Sequence, residues 1–140
     1  MRATSSDSGQ KIVVIDDEKR IADTLALILR SNGYMAEVAY DGTSGLATCS
    51  EFHLVISDVV MPGMNGIEVA IEIRRQYPNC KILLYSGQAA TAQMMEEARS
   101  RGHDFELLAK PVHPVQLLEK VKSLIEPPEN VARAHVKSPR

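Results

Sequence analysis

Five short apolar runs, each followed by a stretch with helical periodicity, set the terms for this chain. The first run is Lys11–Ile15, KIVVI, dense in β-branched residues. A continuous apolar run of this length reads as a strand covered on both faces. Behind it, residues 18–31 place Ile21, Leu25, Ile28 and Leu29 on one helix face, and Asn32-Gly33 supplies a stop. Residues 35–40 read as a second strand. After a turn at Asp41-Gly42, residues 43–50 read as a short helix. LVIS at 54–57 is a third strand ending at Asp58. Pro62, Gly63 and Gly66 make the next loop. Residues 67–77 are helical, with Ile67, Ala70, Ile71 and Arg74 along one side. KILLY at 81–85 is a fourth strand, 89–101 a helix and 105–109 a fifth strand. The last helix, 114–125, carries Val115, Leu118, Val121 and Ile125 on its buried face. Such alternation predicts an α/β domain: a parallel sheet with helices on both faces, joined by right-handed crossovers.

Composition agrees with one folded unit. The chain has 140 residues, 44% hydrophobic and 24% charged, close to globular averages. A chain of this size buries roughly two-thirds of its unfolded surface, enough for a core without disulfides or a structural metal. Net charge is −2, too small to favour nucleic acid or membrane by field alone. No apolar run is long enough to span a bilayer, and residues 1–10 lack the apolar stretch of a secretory signal. A cytoplasmic protein is expected. Cys49 and Cys80 have no CxxC partner, and His53, His103, His113 and His135 are scattered. Reduced, buried thiols and non-ligating histidines follow. Residues 1–9 read as a flexible leader and 127–140 as a flexible basic tail, leaving 10–126 as the domain.

In an open α/β sheet, ligands bind beyond the carboxyl ends of the strands. Asp16 and Asp17 follow the first strand, Asp58 the third, Ser86-Gly87 the fourth and Lys110-Pro111 the fifth. Clustered carboxylates repel one another, and a hard divalent cation relieves that conflict. Oxygen donors without Cys or His point to Mg²⁺ or a similar ion. Lys110 can hold a phosphoryl oxygen, and Ser86 offers a hydroxyl donor. Asp58, so placed, can act as a nucleophile and form an acyl phosphate. Each residue alone has a plainer reading: Asp17 or Glu18 as a helix cap, Lys110 as a surface lysine, Ser86-Gly87 as a turn. The argument rests on all of them meeting at one edge.

The segments 12–18 (IVVIDDE), 54–66 (LVISDVVMPGMNG), 85–87 (YSG) and Lys110-Pro111 together resemble the response-regulator receiver domains of two-component signalling. The resemblance covers about residues 10 to 126, with four motifs in the family's order. It implies a flavodoxin-like doubly wound fold, a five-stranded parallel sheet in the order 2-1-3-4-5. By position it implies Asp58 as phosphoacceptor, with Mg²⁺ held by Asp17, Asp58 and the main-chain carbonyl of Val60, and by Asp16 through water. Ser86, the amide of Gly87 and Lys110 would contact the phosphoryl group, and the Lys110-Pro111 bond would be cis. The donor would be a sensor histidine kinase or a phosphotransfer protein. Such a module is regulatory, an enzyme only toward its own phosphorylation and dephosphorylation, and a monomer or a weak phosphorylation-dependent dimer. Val60 and Gln88 would border the path of an attacking water.

Where the family carries an aromatic residue three positions before the lysine, this chain has Leu107, with Phe105 two residues earlier. The stretch 102–110 is also one residue longer than is usual. Ser86 and Leu107 would then form the switch pair, with a smaller rearrangement than an aromatic gives. The face built from 89–101, 105–109 and 114–125 would meet an unknown downstream protein. The residues after 126 are too few for an output domain, so either the receiver acts alone or it is a piece of a longer regulator. A dehalogenase-type phosphatase would need an Asp where Val60 stands. A nucleotide-binding module would need a glycine-rich phosphate loop, and neither GxGxxG nor GxxxxGK[ST] occurs.

Overall fold

In the computed structural model, which describes residues 9–87, 89 and 91–125, five strands and five α-helices alternate along the chain. They are β1 (Lys11–Ile15), α1 (Lys19–Ser31), β2 (Met35–Ala39), α2 (Gly42–Thr48), β3 (Leu54–Asp58), α3 (Gly66–Gln76), β4 (Lys81–Ser86), α4 (Thr91–Ser100), β5 (Glu106–Ala109) and α5 (Pro114–Ile125). A 3₁₀ turn, Cys49–Glu51, follows α2. The strands form one parallel sheet in the order β2-β1-β3-β4-β5. Gln88, residues 1–8 of the leader assigned to 1–9, and the tail (127–140) lie outside the described residues.

Local chemistry sets most boundaries. Helix α1 ends in a Schellman arrangement: Gly33 takes φ +94°, Tyr34 N–H donates to Leu29 C=O at 3.1 Å, and Gly33 N–H donates to Arg30 C=O at 3.2 Å. Helix α3 opens with a capping box, in which Asn65 accepts from Glu68 N–H and Glu68 accepts from Asn65 N–H, each at 2.9 Å. The sheet is covered on both faces, as a parallel sheet requires. On one face Val13, Ile15, Val55, Ile82 and Leu84 pack with Ile67, Ala70 and Ile73 of α3 and Met95 and Ala98 of α4. On the other, Ile12, Val14, Ile56, Leu83 and Tyr85 pack with Ala22, Leu25 and Leu29 of α1 and Leu117 and Val121 of α5. Cys49 and Cys80 are free thiols within the first layer, and burial pushes both above their ordinary values.

Two helix faces differ from their sequence reading. In α5 the buried positions are Leu117 and Val121, whereas Val115 is 67% exposed. The sequence pattern admits either stripe, and the contact with the sheet selects the one through Leu117. In α3 Val69 and Ile73 are buried beside Ile67 and Ala70, while Ile71 is half-buried and Arg74 is exposed. The Arg74 guanidinium lies 4.2 Å from the Phe105 ring centroid and donates to Asp104 C=O, so it covers the sheet end from outside. Strand β5 begins one residue later than the sequence suggests, at Glu106, and α4 begins at Thr91 instead of residue 89. Among the described residues no helix is long and apolar enough to cross a membrane.

The burial difference carries a stability prediction. Leu84 is fully buried in β4, so Leu84→Ala should cost about 2–5 kcal/mol. Val115→Ala should change stability by less than about 0.5 kcal/mol. Urea unfolding of the two variants checks the assignment, and a large loss for Val115→Ala would contradict the orientation of α5.

Candidate functional site

Among the described residues, the buried polar or charged side chains are Asp16, Ser57, Asp58, Ser86 and Thr91. All stand at the carboxyl end of the sheet or directly above it. Buried polar groups are costly unless partnered, so their confinement to one edge marks that edge as a site. Topology creates the cluster. β1 and β3 are neighbours, with Ile15 level with Ser57, so Asp16 and Asp58 leave the sheet side by side. Asp16, Asp17 and Asp58 each offer an oxygen, and these atoms lie within 4.8 Å of one another. Asp16 is sealed, Asp58 is 5% exposed and Asp17 faces solvent.

Partners hold each group. Asp16 Oδ1 accepts from Glu18 N–H at 2.9 Å, and Asp16 Oδ2 accepts from the Tyr85 hydroxyl at 2.6 Å. Glu18 stands at the N-cap of α1 with no side-chain cap bond, so the acidic run does more than start a helix. Lys110 Nζ donates to Asp58 Oδ2 at 3.4 Å. Lys110 N–H donates to Ser86 C=O at 3.1 Å, which ties the ends of β4 and β5 together. The Lys110–Pro111 peptide is cis. The Ser86 and Thr91 hydroxyls lie 2.6 Å apart, a bond from the sheet edge to the first residue of α4. Gly66 N–H donates to Val59 C=O at 2.8 Å. A Cβ on Gly66 would fall 2.1 Å from the Asp58 carbonyl oxygen, so only glycine lets the loop after β3 fold back this closely.

The electrostatics are unbalanced. Burial first, and the charge of Asp16 second, push the Asp58 carboxyl above its ordinary value, with Lys110 offsetting them in part. Burial and the bond to Asp16 likewise push the Tyr85 hydroxyl up. Three carboxylates against one ammonium leave excess negative charge. The donors are oxygens throughout, and the site opens to water at Asp17. This set fits a hard divalent cation such as Mg²⁺.

Of the residues named from sequence, Asp16, Asp17, Asp58, Ser86, Gly87 and Lys110 come together at this edge. Gly87 sits against Lys110, with a virtual Cβ 3.3 Å from Lys110 Cβ. Val60 follows Asp58 by two residues and is 42% exposed. Leu107 lies level with Leu84 on the edge strand and is 39% exposed, outside the cluster. Tyr85 and Thr91 are site residues to which the sequence reading assigned no role. Tyr85 left a signal: a hydroxyl inside an apolar strand demands a partner.

The comparisons place the chain. The family model for the response regulator receiver domain matches residues 12–122. The chain belongs to that family, the receiver domains of two-component systems. The DNA-binding response regulator MtrA of Mycolicibacterium paratuberculosis is 31% identical over 134 residues, which cover 91% of this chain and 58% of that protein. The chain thus spans less than two-thirds of the length of these curated relatives. A CheY-like receiver domain protein from Methanospirillum hungatei superposes with a TM-score of 0.77 at 30% identity, covering 87% of this chain and 98% of the other. The response regulator TrrA of Thermotoga maritima, solved with Mg²⁺ and BeF, gives 0.71 at 32% identity, covering 82% and 98%.

The charge imbalance predicts a stability effect whose sign is fixed. A carboxyl raised in the folded state opposes folding when ionised. The penalty is full above the folded-state value and absent below the unfolded one. In EDTA at neutral pH, Asp58→Asn should therefore raise the urea midpoint over wild type. The gain should fade as pH drops toward the ordinary carboxylate range, about pH 4. A variant no more stable than wild type at neutral pH would contradict this account.

Proposed function

We propose that Asp58 is the phosphoacceptor of a two-component phosphorelay, taking a phosphoryl group from a histidine kinase or a phosphotransfer protein. The observation that carries the reading is the setting of Asp58: nearly buried, in a carboxylate cluster 4.8 Å across, with Lys110 Nζ 3.4 Å from its Oδ2. In the step, an Asp58 oxygen attacks phosphorus. The new O–P bond forms as the N–P bond to the donor imidazole breaks, and that nitrogen keeps the electron pair. Little covalent chemistry is asked of the protein, so positioning and charge neutralisation dominate. Lys110 holds one phosphoryl oxygen as a point charge. The Ser86 hydroxyl and the Gly87 N–H serve the others. Asp16, Asp17, Asp58 and the carbonyl of Val60 would hold Mg²⁺, which when bound neutralises charge on the transferring group. Beyond its own phosphorylation and dephosphorylation the module catalyses nothing, and it works in the cytoplasm.

The signal leaves through the face built from α4, β5 and α5, where a downstream protein docks. Exposed Leu107 and Val115 lie on those elements, and the Ser86–Thr91 bond links the phosphoryl site to α4. Drawing Ser86 toward a phosphoryl oxygen pulls on that bond. Leu107 lacks an aromatic's bulk and polar tip, so the rearrangement is small. The relatives' DNA-binding activity is a property of those longer proteins, and the residues of this chain offer no reading of it.

Two measurements test the reading. Acetyl phosphate with MgCl₂ should place one base-labile phosphate on wild type and none on Asp58→Asn, and EDTA should suppress labelling. Wild-type labelling of Asp58→Asn would overturn the assignment. Beryllofluoride with MgCl₂ should move amide signals of residues 91–100, 106–109 and 114–125 as well as the site. Shifts confined to residues 18–50 would refute the proposed output face.

A further inference from the structure

Tyr85 touches both groups flanking Asp58, Asp16 and Lys110. It is 1% exposed, within the layer between the sheet and helices α1 and α5. Its hydroxyl donates to Asp16 Oδ2 at 2.6 Å, a bond across 69 residues of sequence. Its ring lies beneath Lys110, whose Nζ is 5.3 Å from the ring centroid. Lys110 Nζ in turn reaches Asp58 Oδ2 at 3.4 Å. Asp16 is fully buried, and its second oxygen is held by Glu18 N–H at 2.9 Å. Two donors on two oxygens leave this carboxylate one orientation.

Packing alone does not call for a tyrosine here. A phenylalanine would fill the same space in the apolar layer that the ring shares with side chains of β1, β3, α1 and α5. A buried hydroxyl carries a desolvation cost that only a partner offsets, and its partner is Asp16. A bond to a charged acceptor is about twice as strong as a neutral one, so the pair restrains Asp16 firmly. The ring face, in turn, favours a cation at the observed separation and limits where the Lys110 ammonium can sit.

We propose that Tyr85 is a positioning residue of the phosphoryl-transfer site. Its hydroxyl orients Asp16 as a metal-holding carboxylate, and its ring sets the place of the Lys110 ammonium beside Asp58. The inference rests on the reading of Asp58 as phosphoacceptor and of the acidic cluster as a Mg²⁺ site. It adds a residue that acts through two others and does not itself meet the phosphoryl group.

The test is a MgCl₂ titration followed by amide shifts on wild type, Tyr85→Phe, Asp16→Asn and the double variant, with acetyl phosphate labelling in parallel. Tyr85→Phe should weaken Mg²⁺ binding on the order of tenfold, the size typical of a lost outer partner. In the Asp16→Asn background the same change should have less than about a twofold effect, because the hydroxyl acts through Asp16. Tyr85→Leu should in addition slow labelling at saturating MgCl₂, since Lys110 loses the ring. The inference is overturned if wild type binds and is labelled while Tyr85→Phe binds MgCl₂ equally well. It is also overturned if the Tyr85→Phe effect is the same with and without Asp16, the additive pattern of a merely structural role. Wild type that neither binds MgCl₂ nor takes up phosphate removes the site reading, and this inference with it. Should Tyr85→Phe fail to fold, wild type labelled with ¹³C at tyrosine Cζ keeps the question open to measurement. The Tyr85 signal should move as MgCl₂ saturates, and a signal that stays put overturns the inference.

Discussion

Asp16 and Asp58 stand side by side at the carboxyl edge of the sheet, nearly sealed from water, and the charge of Asp16 adds to the cost of ionising Asp58. Asp17 adds a third carboxylate from the solvent side, and Lys110 answers with a single ammonium at 3.4 Å. Folding thus assembles a deficit of positive charge in a confined place. Much else near the site manages that deficit. Glu18 N–H and the Tyr85 hydroxyl brace Asp16, Lys110 braces Asp58, and Asp17 faces solvent.

The scaffold makes the deficit tolerable. Two apolar layers cover the sheet, one through α3 and α4, the other through α1 and α5. The central strands β1, β3 and β4 are buried on both faces, which specifies their register. β1 and β3 are adjacent, so the two carboxylates meet because the chain crosses over between them. Gly66 brings the following loop against the Asp58 carbonyl, and the Lys110–Ser86 main-chain bond closes the far side. The Asp16 and Asp58 carboxylates are held by hydrogen bonds from Glu18 N–H, the Tyr85 hydroxyl and Lys110. The Ser86 and Thr91 hydroxyls link the site to α4.

That division suits a switch better than a turnover enzyme. A phosphoryl group brings about −1.5 to −2 charges and three acceptor oxygens, enough to redirect a serine hydroxyl and an ammonium. The receiver family match over residues 12–122 and the superposition on CheY-like domains agree with such a module. Leu107, half open on the edge strand, is the place where this chain departs from the aromatic usual in the family.

The sequence by itself determined the elements and which polar residues end or follow the strands. Strand and helix periods are local, so the alternation could be read without knowing how the pieces pack. Asp16, Asp17, Asp58, Ser86, Gly87 and Lys110 were legible because each ends an apolar run or directly follows one. What is not local was not legible. Two helical stripes were open to α5, and only contact with the sheet buried Leu117 and left Val115 in water. The pairing of Tyr85 with Asp16 joins residues 69 apart and depends on strand order, register and the alternation of faces along β4. A single sequence states that a buried hydroxyl needs a partner. The tertiary structure decides which partner, because it alone sets which strand ends stand next to each other.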